Sequence, residues 1–308
     1  MICKRSASHR VIVEAVTIEI VMPYWGDVDL FKTAVESVRA QSDPDWRLTI
    51  IDDAYPSTEP EQWVRRLADA RIHYLRNERN VGVNANFQRA IELASEDRLT
   101  IFGCDDVLLP EYVARVRWLA AEHDADIIQP GTKVIDEHGV EYLPLADRVK
   151  SWIRPRFHGS LELSGEPLAK SLSRGDWMYF PALSWKTERL KQLGFRANYL
   201  VVLDLALALD LAMSGGSLVV DDQVVFGYRR HQASVSSWRA VDGSRFTEER
   251  EYLLGVAEQF DQLGWHAAAR EARLRLTSRL NALVALPKAL ASGQWAPVRS
   301  LGRHAFGR

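Results

Sequence analysis

Three features of the 308-residue chain predict an α/β fold, a mostly parallel sheet flanked by helices. Short apolar and β-branched runs alternate with stretches of helical period from Val16 onward, the pattern of strands joined by crossover helices. Three of those runs end in polar residues, Pro23-Tyr24, Asp52-Asp53 and Asp105-Asp106, and so deliver them to one sheet edge. At 47% hydrophobic residues the chain can bury a large core, in two domains or in one with an appendage.

Val16–Met22 is β-branched and apolar and reads as the first strand, ended by Pro23-Tyr24-Trp25-Gly26-Asp27. Leu30–Gln41 carries apolar residues at helical spacing. Trp46–Ile51 is a second strand, Glu61–Ala70 a helix, Ile72–Leu75 a third strand and Phe87–Ala94 a helix. Leu99–Phe102 is a buried strand running into Asp105 and Asp106, with a helix starting behind Pro110. Asp126–Pro130 and Lys133–Asp136 read as a further strand and its continuation. Residues 139–175, with three prolines and scattered glycines, read as a long irregular loop. Leu200–Gly215 is strongly apolar, Ser217–Phe226 is rich in strand formers, and Arg245–Arg308 reads as helices.

The formal net charge of −2 argues against a nucleic-acid partner. Charge is unevenly spread: Trp265–Arg308 holds eight Arg or Lys and one acid, a net +7, which leaves −9 elsewhere. The two cysteines, Cys3 and Cys104, imply neither a disulfide framework nor a metal knuckle. Apolar runs are too short for a membrane span, and residues 1–14 lack the sustained apolar core of a signal peptide. A cytoplasmic protein is expected, with the inner membrane face as a place of peripheral contact.

Adjacent carboxylates at a sheet edge repel unless a cation or hydrogen-bond donors stabilise them, which suits a hard divalent ion bridging to phosphate. The same pair can instead cap the following helix. No GxGxxG follows the first strand and no GxxxxGK[ST] occurs, which excludes a dinucleotide oxidoreductase and a P-loop NTPase.

Val21-Met22-Pro23-Tyr24, Ile50-Ile51-Asp52-Asp53, Asn77-Glu78-Arg79-Asn80-Val81-Gly82 and Asp105-Asp106-Val107-Leu108-Leu109-Pro110, in that order across residues 16–125, resemble glycosyltransferase family 2 of the inverting, bacterial type. The resemblance implies a GT-A fold, a Rossmann-like mostly parallel sheet flanked by helices, with a helical C-terminal extension. It implies a nucleotide-diphosphate sugar as donor, a UDP- or dTDP-sugar by family habit, and a divalent metal, Mn²⁺ or Mg²⁺. Pro23, Tyr24 and Asp53, with Asp52 beside them, would surround the nucleobase and ribose, and Asn80 and Gly82 would run beside the nucleotide. Asp105 falls at the metal-binding aspartate of the family's DxD element, next to Asp106. Gly103 departs from the acid often found there.

Asp204 takes the position of the family's catalytic base, in an apolar run where a carboxylate has a raised pKa suited to proton abstraction. The glutamate that usually precedes it is Leu203 here, and Asp210 reads as structural. Tyr228-Arg229-Arg230-His231 matches the family's Tyr-Arg-x-His element: His231 would join the metal shell, and Arg229 and Arg230 would neutralise the diphosphate. Asp176, Trp177 and Tyr179, in an aromatic-rich stretch, are candidates for the acceptor site, although aromatics fill cores equally well. In the tail, Leu274, Leu276, Leu280, Leu283 and Leu286 run beside Arg270, Arg273, Arg275 and Arg279. Such a helix can lie on an anionic membrane, pack on the catalytic domain or meet a second subunit.

The domain reading is an N-terminal tail (1–15), a nucleotide-sugar half (16–125), an acceptor and catalytic half (126–244) and the helical extension (245–308). The function expected is metal-dependent transfer of a sugar to a hydroxyl of a glycan, a lipid-linked or a small-molecule acceptor. A catalytically degenerate sugar-nucleotide scaffold is the alternative, with a nucleotidyltransferase behind it.

Overall fold

The computed structural model describes residues 16–196, 199–230, 244–291 and 295–307. Strand β1 (Ile18–Tyr24) pairs in parallel with β2 (Trp46–Asp52) on one side and β4 (Arg98–Ile101) on the other, and β3 (Ile72–Arg76) extends the sheet beyond β2. Between them run α1 (Val28–Arg39), α2 (Glu59–Leu67) and α3 (Val83–Leu93). Helix α1 shows why the chain turns where it does. Asp27 caps it by accepting from the amides of Asp29 and Leu30, and Phe31, Ala34, Val35 and Val38 form its buried stripe.

After β4 come the short β5 (Val107–Leu108), α4 (Tyr112–His123) and β6 (Ile127–Ile135). The stretch read as an irregular loop is ordered instead: α5 (Leu145–Ile153), β7 (Ser160–Ser164) and α6 (Gly165–Arg174) lie within it. A short 3₁₀ turn (Phe180–Ala182), β8 (Ser184–Lys186), α7 (Thr187–Leu193), α8 (Leu203–Met213) and β9 (Ser217–Arg229) follow. Helix α8 is enclosed, with eight of its residues buried and only Asp204, Asp210 and Met213 outside that set.

The sheet order is β3-β2-β1-β4-β8-β6-β9-β5, with β7 on the far part of β9. Strand β8 runs antiparallel between β4 and β6, and β6 pairs in parallel with β9. One continuous sheet therefore carries both halves of the molecule. Tyr24 lies opposite Asp52 in register, while β4 stops opposite Val21, so the 103–106 turn lies beside the end of β1. The tail forms α9 (Ser244–Gln262), α10 (His266–Leu274), α11 (Leu276–Ala291) and α12 (Trp295–Phe306). Arg275, in the left-handed region at φ 46°, breaks the leucine stripe of the tail into two helices.

Candidate active site

Four strand ends build the site. At the end of β4, Asp105 is half-buried and Asp106 is buried. Asp106 accepts the backbone N–H of Arg229 at 2.7 Å, and burial, followed by the charge of Asp105, holds its pKa well above the usual carboxylate value. Gly103 has a local reason. A Cβ there would lie 2.4 Å from Asp106 Oδ2 and 3.0 Å from Asp105 Oδ1, so the inward carboxylate occupies the space that an acid at 103 would need. The guanidinium of Arg229 donates to the carbonyls of Asp105, Asp136 and Glu137 at 2.6–3.0 Å and is 4% exposed. Arg229 is thus a strap between the β4 end and the turn after β6. The expected phosphate role is corrected for it, because its donors face three carbonyls inside the protein.

At the end of β2, Asp52 is fully buried and accepts from the Tyr55 amide, the Tyr74 hydroxyl and Arg76 at 2.7–2.9 Å. It braces the strand end and presents no oxygen to a ligand, contrary to expectation. Asp53 accepts from Asn77 Nδ2 and the amides of Val81 and Gly82 at 2.7–2.9 Å, and so fixes the loop that leads into α3. Asn80 is exposed and caps the same Gly82 amide through Oδ1 at 3.1 Å. Gly82, at φ 84°, adopts a conformation that side-chain-bearing residues rarely tolerate. Tyr24 also departs from expectation: its ring is wholly buried against Phe31 and Tyr55. The aromatics open to a ligand at this edge are Trp25, half exposed, and the partly exposed Tyr55, 5.6 Å apart edge to face. Pro23 is half-buried and lies opposite Ile51 of β2. Burial pushes the Cys104 thiol up, so it is an inert small side chain rather than a nucleophile.

The polar groups around α5 were largely hidden in the sequence. Asp147 and Lys150 stand on α5, which the irregular reading of 139–175 missed. Asp147 is buried and receives both Nε and Nη2 of Arg230, at 3.1 and 2.9 Å, and the Tyr179 hydroxyl at 3.1 Å. Lys150 lies 4.7 Å from the centre of the Tyr179 ring. Asp176 is half-buried and caps the Met178 amide. Asp204, in the first turn of α8, is half-buried and its pKa is raised to about 7, by desolvation first and by the charge of Asp176 second, with Lys150 pulling the other way. Asp210 pairs with Arg196, a structural role as expected. Trp177 is fully buried in the core with its Nε1–H donated to Ser171, so no ring face remains for a sugar, and the acceptor role expected for it is corrected. His231 lies outside the described residues.

Burial is the largest influence on both Tyr228 and Lys150, raising the pKa of the phenol and lowering that of the ammonium. Tyr228 feels Arg230, Asp106, Asp105 and Asp147, while Lys150 feels Asp176, Arg230, Asp204 and Asp147. Among the described residues no group of three or more His, Cys, Asp or Glu is arranged to hold a metal ion. Asp105, half-buried at the sheet edge, fits a hard cation, whereas Asp106 is turned inward with one oxygen on an amide.

A family model described as glycosyl transferase family 2 matches residues 19–185. The putative colanic acid biosynthesis glycosyl transferase WcaA of Escherichia coli is 37% identical over 94 residues, covering 30% of this chain and 34% of WcaA. The abequosyltransferase RfbV of Salmonella typhimurium is 30% identical over 135 residues, covering 42% and 39%. The matches thus span about a third to two fifths of these relatives. In structure the chain is similar to TarS 1-349 of S. aureus, with a TM-score of 0.66 at 13% identity over 94% of this chain and 81% of that one. It is also similar to the mannosyltransferase PcManGT from Pyrobaculum calidifontis in complex with GDP-Man and Mn²⁺, with a TM-score of 0.62 at 16% identity over 95% and 80%. Both structural likenesses are likenesses of fold. With the family match spanning more than half its length, the chain belongs to glycosyltransferase family 2.

Proposed function

We propose that this chain moves a sugar from a nucleotide-diphosphate sugar to an acceptor hydroxyl in glycan or glycoconjugate biosynthesis, inverting the anomeric centre in one displacement. The observation that carries this reading is the family match over residues 19–185, with Asp204 half-buried in the first turn of the apolar helix α8, where desolvation raises its pKa to about 7. A general base is most effective when its pKa lies near the working pH. In the displacement, the acceptor oxygen bonds to the anomeric carbon and its proton passes to an Asp204 oxygen. The bond from that carbon to the diphosphate oxygen breaks, and its electron pair leaves with the nucleoside diphosphate.

Asp105 is the described residue that would hold a divalent cation, Mn²⁺ or Mg²⁺, with His231 as a second donor. Such an ion supplies charge stabilisation to a departing diphosphate. Arg230, paired with Asp147 yet partly exposed, is the arginine of the pair suited to that charge. Asp53 shapes the nucleotide loop at Asn80 and Gly82, and Trp25 and Tyr55 offer ring faces to a base. Asp176 and Tyr179 border the acceptor side. PcManGT was captured with GDP-Man and Mn²⁺ and TarS with UDP-GlcNAc, which makes both kinds of nucleotide sugar candidate donors here.

A thermal-shift screen of UDP, dTDP, GDP and CDP, with and without Mn²⁺ or Mg²⁺, tests the donor site. One diphosphate should raise Tm only with metal, and both EDTA and Asp105→Ala should abolish the rise. A folded sample unmoved by every combination would remove the nucleotide-sugar reading. A metal-dependent shift without sugar transfer would favour a degenerate scaffold.

The tail favours contact with an anionic lipid surface, consistent with a cytoplasmic protein on the inner membrane face. Leu276, Leu280 and Val284 recur at four-residue spacing on α11 and are more than half exposed, within a segment of net charge +7. No described helix is long and apolar enough to cross a membrane.

A further inference from the structure

Helix α9 of the tail grips the chain where it enters α8. One oxygen of Glu248, Oε1, accepts the amides of Leu200, Val201 and Val202 at 2.9, 2.6 and 2.9 Å. Three consecutive amides turned onto one carboxylate oxygen form a nest for negative charge. One turn further along α9, the buried Tyr252 packs edge to face on Tyr199 at 5.2 Å and donates its hydroxyl to the Ala206 carbonyl at 3.4 Å. From the other side, Asn84 Nδ2 in the first turn of α3 donates to the Tyr199 carbonyl at 3.2 Å, two residues beyond Gly82. Val202 is the N-cap residue of α8 and its carbonyl accepts the Ala206 amide at 2.8 Å. The 199–202 segment is thus pinned between α3 and α9 directly ahead of Asp204. Phe246, two residues before Glu248, is buried in the tail's own core with Ala282, Leu301 and Ala305, so the packing of the tail sets where Glu248 stands.

We propose that Glu248 is a positioning residue for Asp204, and that through it the helical tail is a working part of the transferase site. The inference rests on Asp204 acting as the base. The amides of 200–202 lie ahead of α8, where no carbonyl of that helix can take them, so without Glu248 they turn to water and the lead-in is released. Asp204 Oδ1 accepts the amide of Leu205 at 2.9 Å, so the carboxylate is aimed by the backbone of the turn that Glu248 holds. A reacting group displaced by about 1 Å can lose on the order of 10²-fold in rate, although the residue responsible touches no substrate. Asn84 joins the same segment to the loop before α3, which fixes the base helix relative to the strand end at Asp53.

The test follows the full chain by amide hydrogen exchange and by release of nucleoside diphosphate from UDP-GlcNAc or GDP-Man. Glu248→Ala should speed exchange at the amides of 200–202 by about tenfold or more. It should lower kcat by about tenfold or more while the donor KM stays as in wild type. Glu248→Gln, whose amide oxygen still accepts, should recover most of both. Added to Asp204→Asn, Glu248→Ala should cost no further kcat, because no base is left to place. Unmoved exchange in a folded Glu248→Ala chain would overturn the proposal. So would faster exchange with full kcat, or a loss in the Asp204→Asn background as large as in wild type. If the alanine chain does not fold, Glu248→Asp withdraws the oxygen by one methylene and keeps the charge; unmoved exchange and kcat there overturn the proposal equally. Exchange needs neither donor nor acceptor. A wild-type chain that releases no diphosphate would therefore sink the transferase reading for these donors, whereas an active chain indifferent to Glu248→Ala would sink the positioning role alone.

Discussion

Asp204 carries opposing demands. With its pKa near 7, its basic form is lost as pH falls below neutrality, so kcat/KM should fall tenfold per pH unit on the acid side. The same shift bears on stability with the opposite consequence. A carboxyl whose folded pKa is raised binds its proton more tightly in the folded state, so its ionisation destabilises the fold progressively from about pH 4 to about pH 7, and fully above. Asp204→Asn should therefore cut turnover by about 10²-fold or more while leaving nucleotide affinity intact. It should also raise Tm, more at pH 8 than at pH 5, and an equal Tm change at both would contradict the raised pKa. Asp204 and Asp105 stood out in the sequence as candidates because a carboxylate after an apolar run must be accounted for. Tyr24 and Trp177 were not, because an aromatic serves a core and a ligand equally, and only the fold decides which face stays open. Lys150, one lysine of an ordinary charged helix, gave no residue-level signal.

At the scale of elements, the alternation of strands and helices from β1 to α4 was plain because β1, β2 and β4 are largely buried runs. The reading failed over 139–175, although Pro144 followed by Leu145, Val149, Trp152 and Ile153 carries the helical period. The prolines and glycines on both sides masked a nine-residue helix, and with it Asp147 and Lys150. Arg229 shows how an element's end can be mistaken for a ligand contact. Its three carbonyl partners belong to the 105 and 136–137 turns. Arg229→Met should lower unfolding free energy by about 3 kcal/mol, several charge-assisted hydrogen bonds being lost together. Urea denaturation measures this, and a change below about 1 kcal/mol would return the side chain to the list of phosphate contacts.

Across the whole molecule, the helical tail adds a basic, apolar-edged surface to a catalytic sheet whose residues are on balance acidic. Sedimentation with vesicles containing phosphatidylglycerol should capture the chain at low salt and release it as salt rises, while neutral vesicles should not. Leu280→Glu/Val284→Glu should weaken capture without lowering Tm. Equal retention on neutral and anionic vesicles would contradict the electrostatic part, and concentration-dependent dimerisation with no vesicle binding would assign the face to a second copy.

The antiparallel strand β8 has a further consequence for how this protein can be re-engineered. It hydrogen-bonds β4 on one edge and β6 on the other, so the strand after the acceptor-side loop is a rung of the same ladder that ends in Asp105. Nucleotide and acceptor specificity are therefore not modular in the manner of two beads on a linker. A hybrid that joins the first 125 residues to the second half of a relative would have to rebuild the Arg98 contacts to Ser184 and to the carbonyls of Ala125 and Ser184. Grafting the loops at the sheet edge, and leaving every strand native, is the exchange this architecture permits.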